Sequence, residues 1–496
     1  MKVRRELAQD YVNGRLELRE FLPHDFRRPP EPGFVEEVAT GTDSALVDEI
    51  RSYNERLGAD ERAIENVEAL RQPDSVAVVT GQQPGILTGP LYTIYKALAA
   101  VRLSERHCDT LKRKVVPVFW VASDDHDFEE IRTVRFVDWR GRIRSLSYPF
   151  QDATSGLSAF DIPADGELLS QIVRTLDEET SDHEGKQEIV EFLKTVIGKE
   201  ESLADWFGRS LLKLFRGTGL IVFLPHKRRA RELAAEVVAE EIRLPDATTK
   251  LIRETSEKLA ALHYKPRIEK KANETHFFLY TNGKRRKVIF ERNRYYVPDE
   301  NVSFSPGEME GICRSEPERF SPNAVLRTVV QAKILPALDY VGGPGEIGYW
   351  AQLGGVFERF VVSMARLYPR PHVVLINRRC AKLIQKHCID AAQITSGSDA
   401  ALVDSCSRLE RSSHEEALTN TSERIVSEFE RYVAQMSAVD DSLGAGAKKL
   451  KRKIEYELEK LSEKAVAIQH QRTEQLEGEI AELRANLFPL DKPQER

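Results

Sequence analysis

The chain has 496 residues, 41% of them hydrophobic and 31% charged, with a formal net charge of −6. That balance describes a globular protein with one large core or two to three domains, and it excludes both a disordered chain and the strongly basic surface that nucleic acid or an anionic membrane would attract. Five cysteines without a CxxC pair argue against a disulfide framework and for a reducing compartment, the cytoplasm. Residues 1–20 are charged throughout, unlike a secretory leader, and no apolar run is long enough to span a bilayer.

In chain order, residues 21–41 are proline-rich and predict an extended arm, and residues 44–70 carry apolar positions at helical spacing. Residues 75–80, valine-rich and bounded by Pro73 and Gly81, predict a buried parallel strand. The loop that follows holds Gly81, Pro84, Gly85, Gly89 and Pro90, which let backbone approach a ligand. Thr88 is placed to cap a helix, with Pro90 in its first turn and Leu91, Ile94, Tyr95, Leu98 and Val101 along one face. Residues 115–122 predict a second strand, ending on Asp124, Asp125, His126 and Asp127.

Residues 133–138 and 143–148 flank a turn, and helices are expected over 189–197 and 203–215. A strand over 219–224 ends on His226, Lys227, Arg228 and Arg229. Residues 230–262 predict helix, and 275–297 short strands about Asn282-Gly283. A helix over 325–335, a strand over 338–341, a turn Gly342-Gly343-Pro344-Gly345-Glu346 opening another helix, and a strand over 372–376 complete the pattern. Five strands separated by helices predict an α/β fold with a doubly wound parallel sheet. From Ile425 onward apolar residues alternate steps of three and four, broken at Gly444-Ala445-Gly446. This is the narrow seam of a coiled-coil hairpin, whose uncovered side predicts a homodimer or packing on its own core.

The runs TGQQPGILTGPLYTIYKA, PVFWVASDDHDFEEI, THFFLYTNGKR, SPNAVLRTVVQ, YVGGPGEIGYWAQL and LFPLDKPQER, in this order, resemble the bacillithiol biosynthesis cysteine-adding enzymes, also called cysteine ligases. The resemblance covers most of the chain. It implies a Rossmann-type core similar to class I nucleotidyltransferases, with inserted connective segments and a C-terminal α-helical coiled-coil hairpin. It also implies formation of an amide between L-cysteine and the amine of glucosaminyl-malate. On this reading residues 1–131, 218–229 and 321–408 form the arm and core, 132–217 and 230–320 are insertions, and 409–496 are the hairpin.

Amide formation from a carboxylate needs an activating donor, and ATP with Mg2+ is the expected one. The loop Gly81, Gln82, Gln83, Gly85, Thr88, Gly89 and the turn Gly342, Gly343, Gly345, Glu346 each precede a helix, where backbone N–H groups favour an anion. One such loop alone would be read as glycines that only make a tight turn, but two in one sheet, together with the resemblance, favour ligand binding. Class I nucleotidyltransferases carry a histidine pair in the first loop and a KMSKS-type loop later. This chain has neither at the matching positions, so Thr88, Tyr92, Lys96, Gln82 and Gln83 are the candidates to replace those groups.

Asp125, His126 and Asp127 suit proton transfer from an attacking ammonium, a divalent cation that bridges phosphates, or a solvated turn in which Asp127 caps the next helix. Asn323, Arg327 and Gln331 share a helical face and are candidates for the malyl carboxylates. Arg378 and the His226–Arg229 cluster are further anion candidates, and Tyr349 and Trp350 could stack on a sugar or base. Two other readings stand beside the ligase. One is a nucleotide- or phosphosugar-dependent transferase or hydrolase, and the other a non-enzymatic coiled-coil assembly protein.

Overall fold

A computed structural model describes residues 5–125, 128–149, 156–198, 201–387, 389 and 414–496. The chain divides into two units, one of residues 1–136 and 145–373, the other of residues 137–144 and 374–496. In chain order the strands among the described residues are β1 (Val76–Gln82), β2 (Val115–Val121), β3 (Thr133–Val137), β4 (Ile143–Ser147), β5 (Ile221–Phe223), β6 (Glu274–Thr281), β7 (Lys284–Glu291), β8 (Arg294–Val297), β9 (Val302–Phe304), β10 (Phe320–Pro322), β11 (Ala337–Gly342) and β12 (Arg366–Pro369).

The first unit is organised by a parallel sheet of order β12-β11-β1-β2-β5. β2 and β11 are buried throughout, and β1 up to its last residue. Alternate side chains feed opposite faces: Val76 and Val78 pack with Ala100, Leu338 and Val341, while Ala77 and Val79 pack with Val116, Trp120 and Val329. The chain winds outward from β1 through β2 to β5, then returns to the far side of β1 for β11 and β12. The order therefore reverses between β1 and β11, and the crevice beyond their carboxyl ends is where such sheets take ligands.

Two devices hold this sheet. Asn54 grips the edge strand β5 as another strand would, its Nδ2 donating to the Val222 carbonyl at 2.8 Å and its Oδ1 accepting the Val222 N–H at 3.0 Å. Within the sheet, the fully buried Asp339 of β11 accepts from Arg366 Nε of β12 at 2.8 Å and lies 2.7 Å from His107 Nε2. A second, antiparallel sheet of order β10-β6-β7-β8-β9 belongs to the same unit, and its first hairpin turns at Asn282 and Gly283, with φ of 51° and 73°. Both central residues are left-handed, as a two-residue hairpin with the native strand twist requires.

The fifth core strand is not where the sequence places it. Residues 372–376 form no strand; Leu375 and Ile376 are exposed, and the Leu375 backbone bonds to the Gln494 side chain instead. The edge position is taken instead by the less apolar segment Arg366–Pro369, which the Asp339–Arg366 pair fixes to β11. Residues 21–41 are likewise not a simple extended arm. Pro32 starts the helix Pro32–Val38, which buries Phe34, Val35 and Val38.

The second unit contains the helices Arg378–Lys386, His414–Val439 and Asp441–Leu487 and the β3–β4 hairpin tip at residues 137–144. Cys380 and Ile389 pack on Leu476, Ile480, Leu483 and Leu487 of the long helix. The two long helices break at Asp440, whose side chain caps Ser442 N–H at 2.8 Å, and not at residues 444–446, which are helical. Gly444 has another use: a Cβ there would meet Ser437 Cα at 2.9 Å, so the missing side chain lets the helices close on each other just past the turn.

Candidate active site at the strand switch point

The end of β1 is crowded by its neighbours. A Cβ on Gly81 would lie 2.8 Å from the Trp120 carbonyl oxygen, and one on Gly85 would lie 2.7 Å from Gly89 Cα. These glycines therefore serve contacts of the chain with itself. Leu87, Thr88 and Gly89 run consecutively left-handed, with φ of 51°, 72° and 71°. For Leu87 and Thr88 that is backbone strain of the kind ligand-binding loops retain. Thr88 is buried and does not cap the helix Tyr92–Leu111, whose N-cap position is Leu91. Because the Gly85 site has no room, Gly85→Ala is expected to lower stability by about 1–3 kcal/mol in a chemical unfolding titration, by overpacking alone.

Lys96 lies one turn into that helix and points back at the strand end. Its ammonium donates to the Gly81 carbonyl at 2.8 Å, to Gln82 Oε1 at 3.2 Å and to Glu346 Oε2 at 2.5 Å. Glu346 in turn accepts from Tyr340 Oη at 2.6 Å and from Gly343 N–H at 2.8 Å. Burial depresses the Lys96 pKa, and Glu346 offsets this in part. Burial also pushes the Glu346 carboxyl up, but Lys96 and the Gly343 N–H outweigh it and hold the group below its usual range. The turn Gly342 to Glu346 thus has its first amide satisfied from within, which weakens the expectation that it receives a phosphate. Gln82 Nε2 also donates to Tyr92 Oη at 3.2 Å, and the Arg370 guanidinium sits 5.0 Å above the Tyr92 ring, closing one side of the crevice.

Arg327 enters from the helix Ala324–Ile334. It donates to Tyr349 Oη at 3.0 Å and Gln331 Oε1 at 3.3 Å, lies 5.7 Å from the centre of the Tyr340 ring, and pairs with no carboxylate among the described residues. Burial opposes its charge, but Tyr340, Tyr349 and Glu346 outweigh that and favour the cation. Asn323 is occupied differently. It caps the same helix by accepting from Val325 and Leu326 N–H, and its Nδ2 lies 3.2 Å from His276 Nδ1. Trp350 is fully buried and stacks on Tyr340 at 4.9 Å, so its ring is packing material, while Tyr349 is half-buried beside Arg327. Gly345 has open space where a side chain would be.

A second polar cluster sits at the ends of β2 and β5. Asp124 is bound by Arg231 and accepts from Tyr280 Oη at 3.0 Å, and Asp125 accepts from Gln83 Nε2 at 2.6 Å, tying the first two loops together. Burial raises the Asp124 carboxyl, but Arg231, His226 and Arg285 hold it far below the carboxylate range. His226 stacks on Phe160 and lies 2.9 Å from Ser123 Oγ. Burial, only partly offset by Asp124, lowers its pKa to about 3, so it is neutral and does not attract an anion. Arg228 and Arg229 pair with Glu232, and Arg229 also with Asp43, so the His226–Arg229 cluster does not converge as a site. Arg378 belongs to the second unit, where it is exposed at the start of its helix. His126 and Asp127 lie outside the described residues. Among the described residues no three His, Cys, Asp or Glu side chains are gathered as metal ligands would be.

Sequence reasoning missed Tyr340, Arg370, Arg231 and Tyr280. Tyr280 lies inside a quoted motif and Tyr340 opens another. Arg231 and Arg370 carry no local signal, because their partners are distant in the chain.

The chain matches the family described as "Bacillithiol biosynthesis BshC, N-terminal Rossmann-like domain" over residues 1–371, and "Bacillithiol biosynthesis BshC, C-terminal coiled-coil domain" over residues 373–496. It is similar to proteins named "Putative cysteine ligase BshC" from several bacteria. The one from Desulforamulus reducens is 31% identical over 83% of this chain and 76% of the relative. That from Salinibacter ruber is 30% identical over 99% and 90%, and that from Symbiobacterium thermophilum 32% identical over 90% and 83%. With the two matches spanning residues 1–371 and 373–496 and a parallel sheet in the first of these stretches, the chain belongs to the bacillithiol biosynthesis BshC family.

Proposed function

We propose that this protein is a carbon–nitrogen ligase that joins the carboxyl of L-cysteine to the amine of glucosaminyl-malate, with the reaction seated at the switch point between β1 and β11. The observation that carries the reading is Arg327, a largely buried guanidinium whose direct partners are neutral groups, at the rim where this sheet class binds ligands. Its planar fork suits a carboxylate. The names borne by the relatives support the reaction class.

A carboxylate is a poor electrophile and the attacking amine is protonated at neutral pH, so activation and a base are both needed. ATP with Mg2+ is the energy donor we propose, and His126 with Asp125 and Asp127 the group that takes the proton. Purified protein incubated with cysteine, glucosaminyl-malate, ATP and magnesium is expected to give the amide-linked thiol by mass spectrometry. Omitting each component in turn identifies the donor; absence of product from the complete mixture defeats the reading. His126→Ala, folded as judged by circular dichroism, is expected to lose turnover, and unchanged activity would remove His126 from the mechanism.

We further propose that the hairpin pairs with a second copy of the chain, since Ile425, Tyr432, Leu450, Leu461 and Ile468 lie exposed along it. Light scattering is expected to give the mass of a dimer at micromolar concentration, and a monomer would exclude this pairing. No helix among the described residues is long and apolar enough to cross a membrane, and a cytoplasmic setting would keep the cysteines reduced.

A further inference from the structure

Lys96 is the residue a sequence reader would hand to the substrate, since it is a lysine one turn into the helix after a glycine loop. Its geometry speaks for something else. An ammonium has three protons to donate, and all three are taken, by the Gly81 carbonyl, Gln82 Oε1 and Glu346 Oε2. The side chain is only 3% exposed. Both oxygens of Glu346 are engaged as well, by Tyr340, the Gly343 N–H and Lys96. The two charges cancel within a closed set of hydrogen bonds that joins the end of β1 to the turn after β11, across the point where the sheet order reverses.

We infer that Lys96 and Glu346 are positioning residues, a neutral clamp that sets the distance between the two halves of the crevice, and that the cation turned toward the substrate there is Arg327. The inference rests on the proposed ligase site, but it makes a claim of its own about which charge is internal.

The test is a two-residue cycle, Lys96→Met, Glu346→Gln and the double variant, read in turnover and in thermal midpoint. Each single change leaves a buried charge without its partner, and each is expected to lower kcat/KM at least 100-fold at pH 8. The double variant, which removes both charges, is expected to recover to within about tenfold of the unmodified protein. In Lys96→Met the stranded Glu346 carboxyl takes up a proton as pH falls, so turnover is expected to rise at least tenfold from pH 8 to pH 6. A purely structural loss would give no such rise in folded protein. A folded double variant as inactive as Lys96→Met, with no recovery at acid pH, overturns the inference and places the ammonium at the reacting atoms. Should the unmodified protein form no amide, the ligase reading fails and the clamp is judged from the midpoints alone. Recovery of the midpoint in the double variant then supports it, and additive losses overturn it.

Discussion

Asp339→Ala is expected to destabilise the protein by about 3–5 kcal/mol, the largest loss we anticipate from any single side chain. The carboxylate is fully buried in β11 and takes Arg366 Nε at 2.8 Å and Nη2 at 3.0 Å, with His107 Nε2 at 2.7 Å. Truncation would leave the Arg366 guanidinium of β12 and the His107 imidazole of the helix Tyr92–Leu111 buried without the acceptor they share. The loss follows from stranding those partners, and says nothing of the net worth of the intact triad. Urea unfolding followed by circular dichroism measures it. Asp339→Asn, which keeps an oxygen acceptor but no charge, is expected to fall between the two, and a variant as stable as the parent would show that β12 is held by apolar contacts alone.

Two buried histidines are expected to withdraw about 3 kcal/mol of stability from this protein between pH 6.5 and 5. Burial lowers the pKa of His226 and of His276 to about 3, for His276 with help from Lys270 and Arg359. Both rings are then neutral in the folded chain. Once unfolded, each recovers an ordinary pKa near 6.5 and binds a proton that the native state refuses. The stabilisation is therefore complete above pH 6.5 and falls as pH drops toward 3. His276 is held by Thr249 Oγ1 at 2.9 Å and by Asn323, so His276→Gln keeps hydrogen-bonding capacity while removing one titrating site. Its midpoint at pH 7 is expected to drop somewhat, but the stability it loses between pH 6.5 and 5 should be smaller by about 1.5 kcal/mol. An unchanged slope would show that another group governs the acid transition.

The architecture was legible where local pattern and tertiary demand agree. Strands β1 and β2 begin as continuous apolar runs because both sheet faces are covered, and Asn282-Gly283 announces its turn because few residues accept two successive left-handed conformations. Reading failed where a distant partner outweighs local pattern. Residues 372–376 are as apolar as any core strand, yet Arg366–Pro369 holds the sheet edge because Arg366 reaches Asp339. The glycines at 444 and 446 suggest a helix break, yet Gly444 is there for close helix approach, and the turn is made by the cap at Asp440. At the rim, residue types could be nominated but not sorted. Nothing local distinguishes Lys96, whose protons are all spoken for, from Arg327, whose direct partners are neutral. The partners that make the difference come from helices and strands far along the chain.

The central strand of the parallel sheet has one neighbour near in sequence and one far away: Ala77 pairs with Val116 but also with Ala337, about 260 residues later. At ribosomal speeds of about 5–20 residues per second, β1 would wait roughly 13–50 s with one bare, valine-rich edge before its second partner emerges. Slow translation between β2 and β11 would therefore be more hazardous for this protein than slow translation of its helical tail.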